Sequence, residues 1–474
     1  MEKLNTAGES LLQSITHYCR LRKIAESTFG RLAVNDGKFV SRIRNGSRVT
    51  PETWEKVTNY IEHHGGNSPG NADPRQMHVM ASDMIYSGQN FKDEEIPADV
   101  SPKANFRFFD NRQKYLLFVN TCSEKEVIAR RAGQELKQIS PTPPAIRVFD
   151  AGMGDGTVLT RLMREMHRRF TNIPFYITCK EISLEDVRLS LAKMADRLFE
   201  HPATVLVITN LYYAEAPWLE PKNDKDKTRM IWKEVALKGD TSHEFDEQIK
   251  ELDRFLAVHW QARHSPKSGN PIYDRPVVLV LYREDFKFLL DDVLPVRGEK
   301  RADFDLVVAS QPYRSRVSAN FKAEKVITPM VRALGPGGRL LAIHSYGDDP
   351  GLEVIQKVWP DEEPFPNGRH EIIQAVREEL GEDVKKYHFN AMSDTRSVFR
   401  YYMHALPTEI SGSIGTSTLF AAWNAAVYVA QIEDNRLIEA LKGTDYLQAV
   451  NEVLQQYGGL WFNDESYIIV RKQE

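Results

Sequence analysis

Apolar positions follow two different spacings along the chain. Residues 10–63 place them at helical intervals in short segments such as "AESTFGRLAV" and "TPETWEKVTNYIEHH". Residues 104–474 instead alternate short apolar runs with amphipathic segments, the pattern of βα units around a parallel sheet. Residues 64–103 are rich in Gly, Pro and Asp, which favours a linker. The pattern therefore predicts a small all-α domain, a linker and a larger α/β domain.

One stretch of the larger domain, residues 220–275, departs from this alternation. It is dense in charge and includes "EPKNDKDKTR" and the helix-like "SHEFDEQIKELDRFLAVHW". We interpret it as an insertion into the α/β domain, with a lid as one role for it.

Composition narrows the class of protein. Hydrophobic residues make up 42% of the 474 residues, which is ample for a core. The cysteines, Cys19, Cys122 and Cys179, are too few and too scattered for a disulfide framework or a zinc site, so we expect no bound metal. No apolar run reaches the roughly 20 residues of a spanning helix, and the N-terminus lacks an apolar signal segment. We expect a cytoplasmic protein without membrane contact, and its oligomeric state stays open, with a dimer as one option.

Charge is distributed unevenly. Residues 20–48 hold eight Lys or Arg against two acids, a net charge of +6, so the rest of the chain must carry −10 to give the total of −4. A basic module on an acidic body indicates a local nucleic-acid contact.

A glycine-rich turn follows the first apolar strand of the larger domain, in "VFDAGMGDGTVL" (residues 148–159). Its glycines leave the backbone open to a ligand at the start of a helix, where N–H groups are unpaired. A dinucleotide-binding turn would place its third glycine at Thr157. The carboxylates of Asp150 and Asp155 also favour a cationic ligand over a pyrophosphate.

This turn resembles the first motif of class I S-adenosylmethionine-dependent methyltransferases, D/E-x-G-x-G-x-G. The resemblance implies that S-adenosyl-L-methionine binds at Asp150, Gly152, Gly154 and Gly156, with its ribose hydroxyls on Glu181, the acid that ends "PFYITCKE". It also implies a Rossmann-like methyltransferase sheet, mostly parallel with an antiparallel last strand. Three later segments resemble further strands of that sheet: "FDLVVASQPY", "ALGPGGRLLAIHSY" and "GLWFNDESYIIVRK".

Two segments compete for the third strand of this sheet. "TVLVITN" (204–210) lies at the expected distance from Glu181, whereas "VVLVLYREDF" (277–286) lies at the better distance from the fourth strand. We favour the second segment, which would bring Asp285 to the amino group of the adenine. The first segment would then be an inserted strand.

The loop after the fourth strand, Ser310-Gln311-Pro312-Tyr313, lies where open α/β sheets bind ligands. It resembles the (D/N/S)-P-P-Y motif of methyltransferases that act on planar nitrogens. The resemblance implies that Ser310 and a backbone carbonyl hold the acceptor amino group while Tyr313 stacks on its plane. Gln311 departs from the motif, and if the loop works as the motif does, proline is tolerated at this position.

A second resemblance, to amine methyltransferases of the histamine type, leads to another acceptor. There a glutamine after the fourth strand and a polar residue on the last strand approach the amine. In this chain those residues would be Gln311 and either Asn463 or Asp464.

The N-terminal segment 25–57 resembles the phage-repressor type of helix-turn-helix. Its apolar framework comprises Phe29, Leu32, Ala33, Phe39, Val40 and Ile43, and "NG" at 45–46 ends the second helix. Four residues lie in or beside that helix, where side chains reach major-groove edges or phosphates: Lys38, Ser41, Arg42 and Arg44. The alternative is a helical module that docks another protein.

Two functions from different classes follow from these patterns. The first is a methyltransferase with a nitrogen acceptor, targeted or regulated through an N-terminal DNA-binding domain. The second is a transcription regulator that uses the same fold to sense S-adenosylmethionine or a small amine without turnover.

Overall fold

The chain forms two compact units, residues 1–100 and 101–474. The computed structural model describes residues 11–12, 15–16, 18–19, 24–34, 36–44, 49–64, 112–265, 271–405, 410 and 414–473. The predicted linker, apart from His64, and the predicted helix stop at 45–46 lie outside the described residues.

The described part of the first unit is helical. Its helices are α1 (Glu26–Val34), α2 (Phe39–Arg44) and α3 (Pro51–His64). The predicted framework residues Phe29, Phe39, Val40 and Ile43 are buried, whereas Leu32 is 56% exposed. Leu32 therefore does not belong to the core of this unit. The helix-turn-helix assignment itself stays a prediction.

The second unit is built on one ten-stranded sheet. Its strands are β1 (Ile146–Asp150), β2 (Phe175–Lys180), β3 (Thr204–Thr209), β4 (Ile231–Leu237), β7 (Val277–Arg283), β8 (Phe304–Ser310), β9 (Leu334–Ser345), β10 (Tyr387–Asn390), β11 (Val398–Tyr402) and β12 (Trp461–Arg471). A separate small hairpin pairs β5 (Ala262–His264) with β6 (Pro271–Tyr273).

Helices cover both faces of this sheet. Those before β4 are α4 (Arg112–Thr121), α5 (Glu124–Glu135), α6 (Thr157–Arg169), α7 (Leu184–Leu191), α8 (Met194–Glu200) and α9 (Asp224–Arg229). Between β4 and β9 are α10 (Ser242–Lys250), α11 (Asp253–His259), α12 (Lys287–Leu290), α13 (Ala319–Lys322) and α14 (Thr328–Arg332). The last are α15 (Pro350–Val358), α16 (Arg369–Leu380), α17 (Asp394–Ser397), α18 (Thr416–Val429), α19 (Asp434–Ala440) and α20 (Asp445–Tyr457).

The strand order is β10-β12-β9-β8-β1-β2-β3-β7-β4, with β11 also paired to β12. The five strands from β9 to β3 run parallel, and the last strand, β12, runs antiparallel to β9. The predicted mostly parallel sheet with an antiparallel last strand is thereby confirmed. Every residue of β1, β3 and β7 is buried, which explains why these segments are continuous apolar runs.

The preferred assignment of the third strand was wrong. Residues 204–209 pair in parallel with β2, so β3 is the third strand. The competing segment forms β7, which lies beyond β3 and runs antiparallel to it, with Thr209 opposite Val278. The segment 220–275 contributes β4 to the sheet, where it extends the edge beside β7.

Strand direction fixes where the site lies. The chain passes from β1 to β2 on one side and later returns to β8 on the other side of β1. Ligands of open α/β sheets bind at such a reversal, at the carboxyl ends of the strands. Among the described helices, none is long and apolar enough to cross a membrane.

Candidate functional site

The glycine turn joins β1 to α6, and two of its glycines are required by the protein itself. Gly154 and Gly156 have φ angles of 52° and 76°, which favour glycine. A Cβ at Gly156 would lie 2.4 Å from the Oγ of Ser190, and one at Gly154 would lie 2.9 Å from the Oη of Tyr115. The turn is therefore packed closely against α7 and α4.

Gly152 is different because nothing in the protein crowds it. The nearest atom to a Cβ at this position would be the carbonyl oxygen of Ser310, at 3.9 Å. Its φ angle lies outside the left-handed region. Neither packing nor backbone conformation thus demands glycine here, and the bare backbone beside Ser310 is free for a ligand to approach.

The two predicted acids stand at neighbouring strand ends, since Asp150 closes β1 opposite Cys179 of β2 and Glu181 follows β2 directly. The Oε2 of Glu181 accepts the N–H of Gly154 at 2.9 Å. Its Oε1 accepts the N–H groups of Ile182 and Ser183 at 2.7 and 2.9 Å. Glu181 thus fixes the glycine turn from its position just after β2.

The carboxyl group of Asp150 has a raised pKa. Its Oδ1 accepts the N–H of Gly152 at 3.2 Å. Burial, together with the charge of Glu181, raises the pKa of Asp150 to about 6, although the Gly152 N–H and Lys125 act in the opposite direction. A cation bound beside Asp150 would recover the lost solvation of its carboxylate.

The second acid of the turn, Asp155, is neutralised by an ion pair with Lys193. Lys193 donates to the Asp155 Oδ2 at 2.7 Å and to its carbonyl oxygen at 2.6 Å. The predicted repulsion of a pyrophosphate by Asp155 is therefore weakened by Lys193, and the argument for a cationic ligand rests on Asp150.

Sequence reasoning missed several residues that complete the site. Tyr115 of α4 and Lys125 of α5 lie against the turn: the Tyr115 Oη accepts the N–H of Asp155 at 3.3 Å, and Lys125 is close enough to Asp150 to oppose its pKa shift. The indole N–H of Trp260, from the inserted segment, donates to the carbonyl oxygen of Glu181 at 3.1 Å. The first two precede the motif and the third lies far beyond it, so no local spacing connects them to it.

The loop after β8 is held at Gln311, whose φ angle is 47°. The Gln311 backbone N–H donates to the carbonyl oxygen of Ile343 at 2.9 Å. Its side-chain Nε2 donates to the Oγ of Ser345 and to the Oδ1 of Asp464, both at 3.2 Å. Proline fits neither this φ nor this donor role. The backbone of the loop thus departs from the P-P-Y motif, and both features argue against tolerance of proline at 311.

Ser310 and Tyr313 lie in different surroundings. The Ser310 carbonyl faces Gly152, and its buried Oγ has no hydrogen-bond partner. The Tyr313 ring belongs instead to the apolar core, with Lys322 above it at 5.0 Å and the His344 ring 5.8 Å away. The structure therefore brings Ser310 to the glycine turn and places Tyr313 in the interior.

Asp285 does not join the predicted cofactor residues. Because β7 runs antiparallel to β3, its carboxyl end lies at the opposite edge of the sheet from the ends of β1 and β2. There Asp285 forms an ion pair with Arg283 at 2.5 Å. The role assigned to Asp285 beside an adenine was therefore wrong, since it rested on a parallel β7.

The last strand brings Asp464, rather than Asn463, to the loop after β8. The Asn463 side chain donates to the carbonyl oxygens of Gly347 and Asp348, at 3.2 and 2.8 Å. Asp464 is fully buried, and its Oδ2 has no hydrogen-bond partner. Of the two alternatives, only Asp464 has a fully buried side-chain oxygen without a hydrogen-bond partner.

In the first unit, the four predicted DNA contacts, Lys38, Ser41, Arg42 and Arg44, are all exposed. Arg42 forms an ion pair with Asp36, and Arg44 pairs with Glu26 at 2.6 Å. These acids offset part of the positive charge of residues 20–48.

Comparisons with known proteins return structural likeness only. No family model and no curated protein matches the chain. Geranyl diphosphate methyltransferase, solved with GPP and sinefungin, is 11% identical with a TM-score of 0.28, over 72% of this chain and 76% of its own. Phosphoethanolamine N-methyltransferase 2 of Haemonchus contortus, solved with S-adenosyl-L-methionine, is 12% identical with a TM-score of 0.29, over 80% and 62%. PKMT2 of Rickettsia typhi, solved with AdoHcy, is 10% identical with a TM-score of 0.25, over 73% and 52%.

Proposed function

We propose that this protein is an S-adenosyl-L-methionine-dependent methyltransferase that acts on a nitrogen acceptor. The observation that carries the proposal is the open backbone of Gly152, flanked by two strand-end acids and facing the carbonyl of Ser310. The packing of the chain does not require a glycine there, and the ligand that the acids favour is a cation with hydroxyl groups.

The residues around the glycine turn match the separate polar groups of S-adenosylmethionine. Glu181 keeps acceptor capacity on Oε2 for the ribose hydroxyls, because Oε2 accepts only the N–H of Gly154, whereas Oε1 already accepts those of Ile182 and Ser183. Asp150 suits an ammonium group. Lys125, whose side chain is 20% exposed and pairs with Glu124 at 3.1 Å, suits a carboxylate. When bound, S-adenosylmethionine supplies a methyl group on a positively charged sulfur. The contribution of the chain is to fix the geometry of this donor and to exclude water.

The acceptor belongs on the side of the turn where β8 ends. Ser310 lies next to Gly152, Gln311 follows it in the loop after β8, and Asp464 of β12 accepts a hydrogen bond from the Gln311 amide. An acceptor nitrogen placed there has side-chain oxygens within reach of its hydrogens. This arrangement supports nitrogen as the methylated atom.

Calorimetry with S-adenosylmethionine tests the cofactor part of the proposal. Glu181→Ala leaves the ribose hydroxyls without their carboxylate partner, which costs roughly 1–3 kcal/mol. The same change frees the N–H of Gly154 and loosens the turn, so Glu181→Gln, which keeps one oxygen, is the matched variant. An unchanged affinity in both variants would remove Glu181 from the site.

Turnover is tested separately, by tritiated methyl transfer to the DNA, protein and small-molecule fractions of a cell extract. Tritium label in one fraction would support methyltransferase activity and would identify the class of the acceptor. Tight cofactor binding with no label in any fraction would favour the alternative, a regulator that senses the cofactor without turnover.

We further propose that the first unit binds duplex DNA through Lys38, Ser41, Arg42 and Arg44. The support is their common exposure on and beside α2 and the net positive charge of residues 20–48. The two ion pairs with Asp36 and Glu26 would have to open, or rearrange, for both arginines to reach phosphates.

A further inference from the structure

A groove lies between helix α16 and strand β10, at the outer edge of the sheet. Its volume is about 500 Å³, which is the size of a ligand cleft. It is lined by Gln374, Arg377 and Glu378 of α16, and by Val384, Tyr387 and Phe389 from the turn before β10 and from β10 itself. Strands β12, β9 and β8 separate β10 from β1, so this groove is distinct from the glycine-turn site. We call it the edge groove.

Strand β10 is paired on one side only, with β12, because the described part of the sheet has no strand beyond it. Lys472 donates its backbone N–H to the carbonyl oxygen of Lys386 at 2.9 Å, which makes these two residues a hydrogen-bonded pair of the antiparallel ladder. Such pairs alternate with pairs whose N–H and C=O groups point away from the partner strand. Tyr387 and Phe389 occupy these alternate positions. Their backbone groups therefore face away from β12, along the free edge.

Three of these four outward backbone groups are open to another strand. The N–H of Tyr387 donates to the carbonyl oxygen of Val384. The C=O of Tyr387 and both backbone groups of Phe389 bond to no described residue. An unpaired strand edge is a template for an added strand. Because the side chains of Tyr387 and Phe389 line the groove, a strand added here would place alternate side chains of its own in the groove.

The helical wall of the groove carries a cation that the protein does not neutralise. The guanidinium of Arg377 lies 4.8 Å from the centroid of the Phe389 ring, and it forms no ion pair with any residue that the structure describes. The one acid that lines the groove, Glu378, accepts the amide of Gln374 at 2.8 Å. Lys385, two residues before β10, is exposed as well. An arginine positioned over a ring binds a carboxylate through two parallel hydrogen bonds.

We propose that the edge groove binds an extended acidic peptide of a partner protein, which adds to the sheet as an antiparallel strand beside β10. A carboxylate of the peptide pairs with Arg377, and an apolar side chain packs against Val384 and Tyr387. Charge decides against a second copy of this chain as the occupant, since pairing two β10 strands would bring the cations of both grooves together, whereas an acidic peptide supplies the opposite charge. This inference is independent of the proposed methyltransferase function.

Fluorescence anisotropy of labelled peptides with the full-length protein tests the inference. The probes are TETVTET, TETLTET and TETFTET, in which the glutamates and the central apolar residue share one face of an extended strand. We expect at least one of them to bind at least tenfold more tightly than the same peptide with lysine in place of glutamate. In an antiparallel pair the residues that face the groove also bond to β10 through their backbone. Methylation of the central backbone nitrogen should therefore weaken binding at least tenfold.

A charge reversal in the protein provides the second half of the test. Arg377 is exposed on α16, so Arg377→Glu should fold normally and reverse the preference, with the lysine peptide bound more tightly than the glutamate peptide. Lys442→Glu, which reverses an exposed cation elsewhere in the second unit, is the matched control and should bind both peptides as the wild type does. Melting temperature and S-adenosylmethionine affinity, within threefold of the wild type in both variants, confirm that the fold is intact.

Each other outcome overturns the peptide inference. No glutamate peptide bound at millimolar concentration, equal binding of the glutamate and lysine peptides, or an unchanged preference in Arg377→Glu would exclude an acidic strand in the groove. Equal binding of the N-methylated peptide would show that no strand is added to β10. Sedimentation equilibrium covers the remaining occupant: a dimer whose dissociation constant changes in Arg377→Glu, with no peptide bound, would show that a second copy fills the groove instead.

Discussion

At the scale of single residues, the glycines of one turn serve different purposes. Gly156 adopts a left-handed conformation and contacts Ser190, whereas Gly152 faces open space beside Ser310. The motif D-x-G-x-G-x-G is therefore partly a folding requirement and partly a binding requirement. A substitution at each position separates the two.

We expect Gly156→Ala to destabilise the protein by roughly 1–3 kcal/mol or more, because the left-handed backbone disfavours a side chain and its Cβ would collide with Ser190. Gly152→Ala should change the free energy of unfolding by less than about 1 kcal/mol, yet weaken S-adenosylmethionine binding at least tenfold. Thermal unfolding and calorimetry measure the two effects. Equal loss of stability in both variants would contradict this division.

A second prediction concerns the ionisation of Asp150. Its pKa of about 6 exceeds the ordinary value of 3.8, so the folded protein binds this proton more tightly than the unfolded chain. Taken alone, Asp150 therefore lowers the free energy of unfolding as the pH rises from about 4 to 6. A ligand ammonium needs the ionised form, so cofactor affinity should fall about tenfold per pH unit below pH 6 and level off above it.

Calorimetry from pH 5 to 8 measures this dependence. Asp150→Asn supplies the control, since its affinity should be weaker and flat with pH over this range. A wild-type profile as flat as that of the variant would show that Asp150 does not bind the ligand's charge.

At the scale of elements, the loop between β8 and α13 differs from the motif its sequence resembles. The 47° φ of Gln311 and its backbone bond to Ile343 hold the peptide in a conformation closed to proline. The Gln311 side chain then bridges this loop to β9 and β12. The loop is thus tied to the last strand, and it does not stand free to clamp a planar base.

We therefore expect Gln311→Pro to abolish methyl transfer and to lower the melting temperature, whatever the acceptor is. Gln311→Gly relieves the backbone and removes only the side chain, so it should fold stably but bind the acceptor at least tenfold more weakly. Stability and single-turnover methylation of the two variants provide the measurement. Full activity in Gln311→Gly would place the acceptor away from this loop.

The residues of β3 and β7 do not by themselves show which of the two is the third strand of the parallel sheet. Both β3 and β7 are wholly buried apolar runs, and neither carries an alternation that would reveal its direction. Their order and direction depend on pairing with β2, a contact between distant parts of the chain. The error at Asp285 followed from this, because reversing a strand exchanges its ends.

At the scale of the whole molecule, the chain combines a helical unit, which contains the basic segment 20–48, with a larger α/β unit. We expect the full-length protein to bind duplex DNA with an affinity that falls with salt, because each phosphate contact releases a counterion. Replacing Lys38 and Arg44 together by Ala should reduce the slope of log affinity against log salt by about 2. Fluorescence anisotropy over a salt series provides the measurement.

A matched control for this experiment is the replacement of two exposed cations of the second unit, Lys287 and Lys442, which should leave the slope unchanged. Absence of binding at low salt, or binding indifferent to salt, would favour a protein-docking role for the first unit.

The sequence by itself determined the local features of this protein. It placed the glycine turn after a buried strand, put acids at the ends of two successive strands, and predicted the mostly parallel sheet with an antiparallel last strand. Each of these features depends on residues that are neighbours in the chain. A strand is recognised by its apolar run, a turn by its glycines, and the end of a strand by the first polar residue after it. The pairing of Gln311 with a last-strand residue was also open to prediction through resemblance.

Only the tertiary structure determined which of these residues lie together in the site. It placed Asp464 rather than Asn463 beside Gln311, put Tyr313 in the core and separated Asp285 from the site. It also brought Tyr115, Lys125 and Trp260 to the site. Strand order, strand direction and the side of the sheet that a residue faces arise from contacts between segments far apart in the chain, such as Arg131 and Ser466, which are 335 residues apart. Burial then sets the charge state of the acids, and burial is a property of the folded molecule alone.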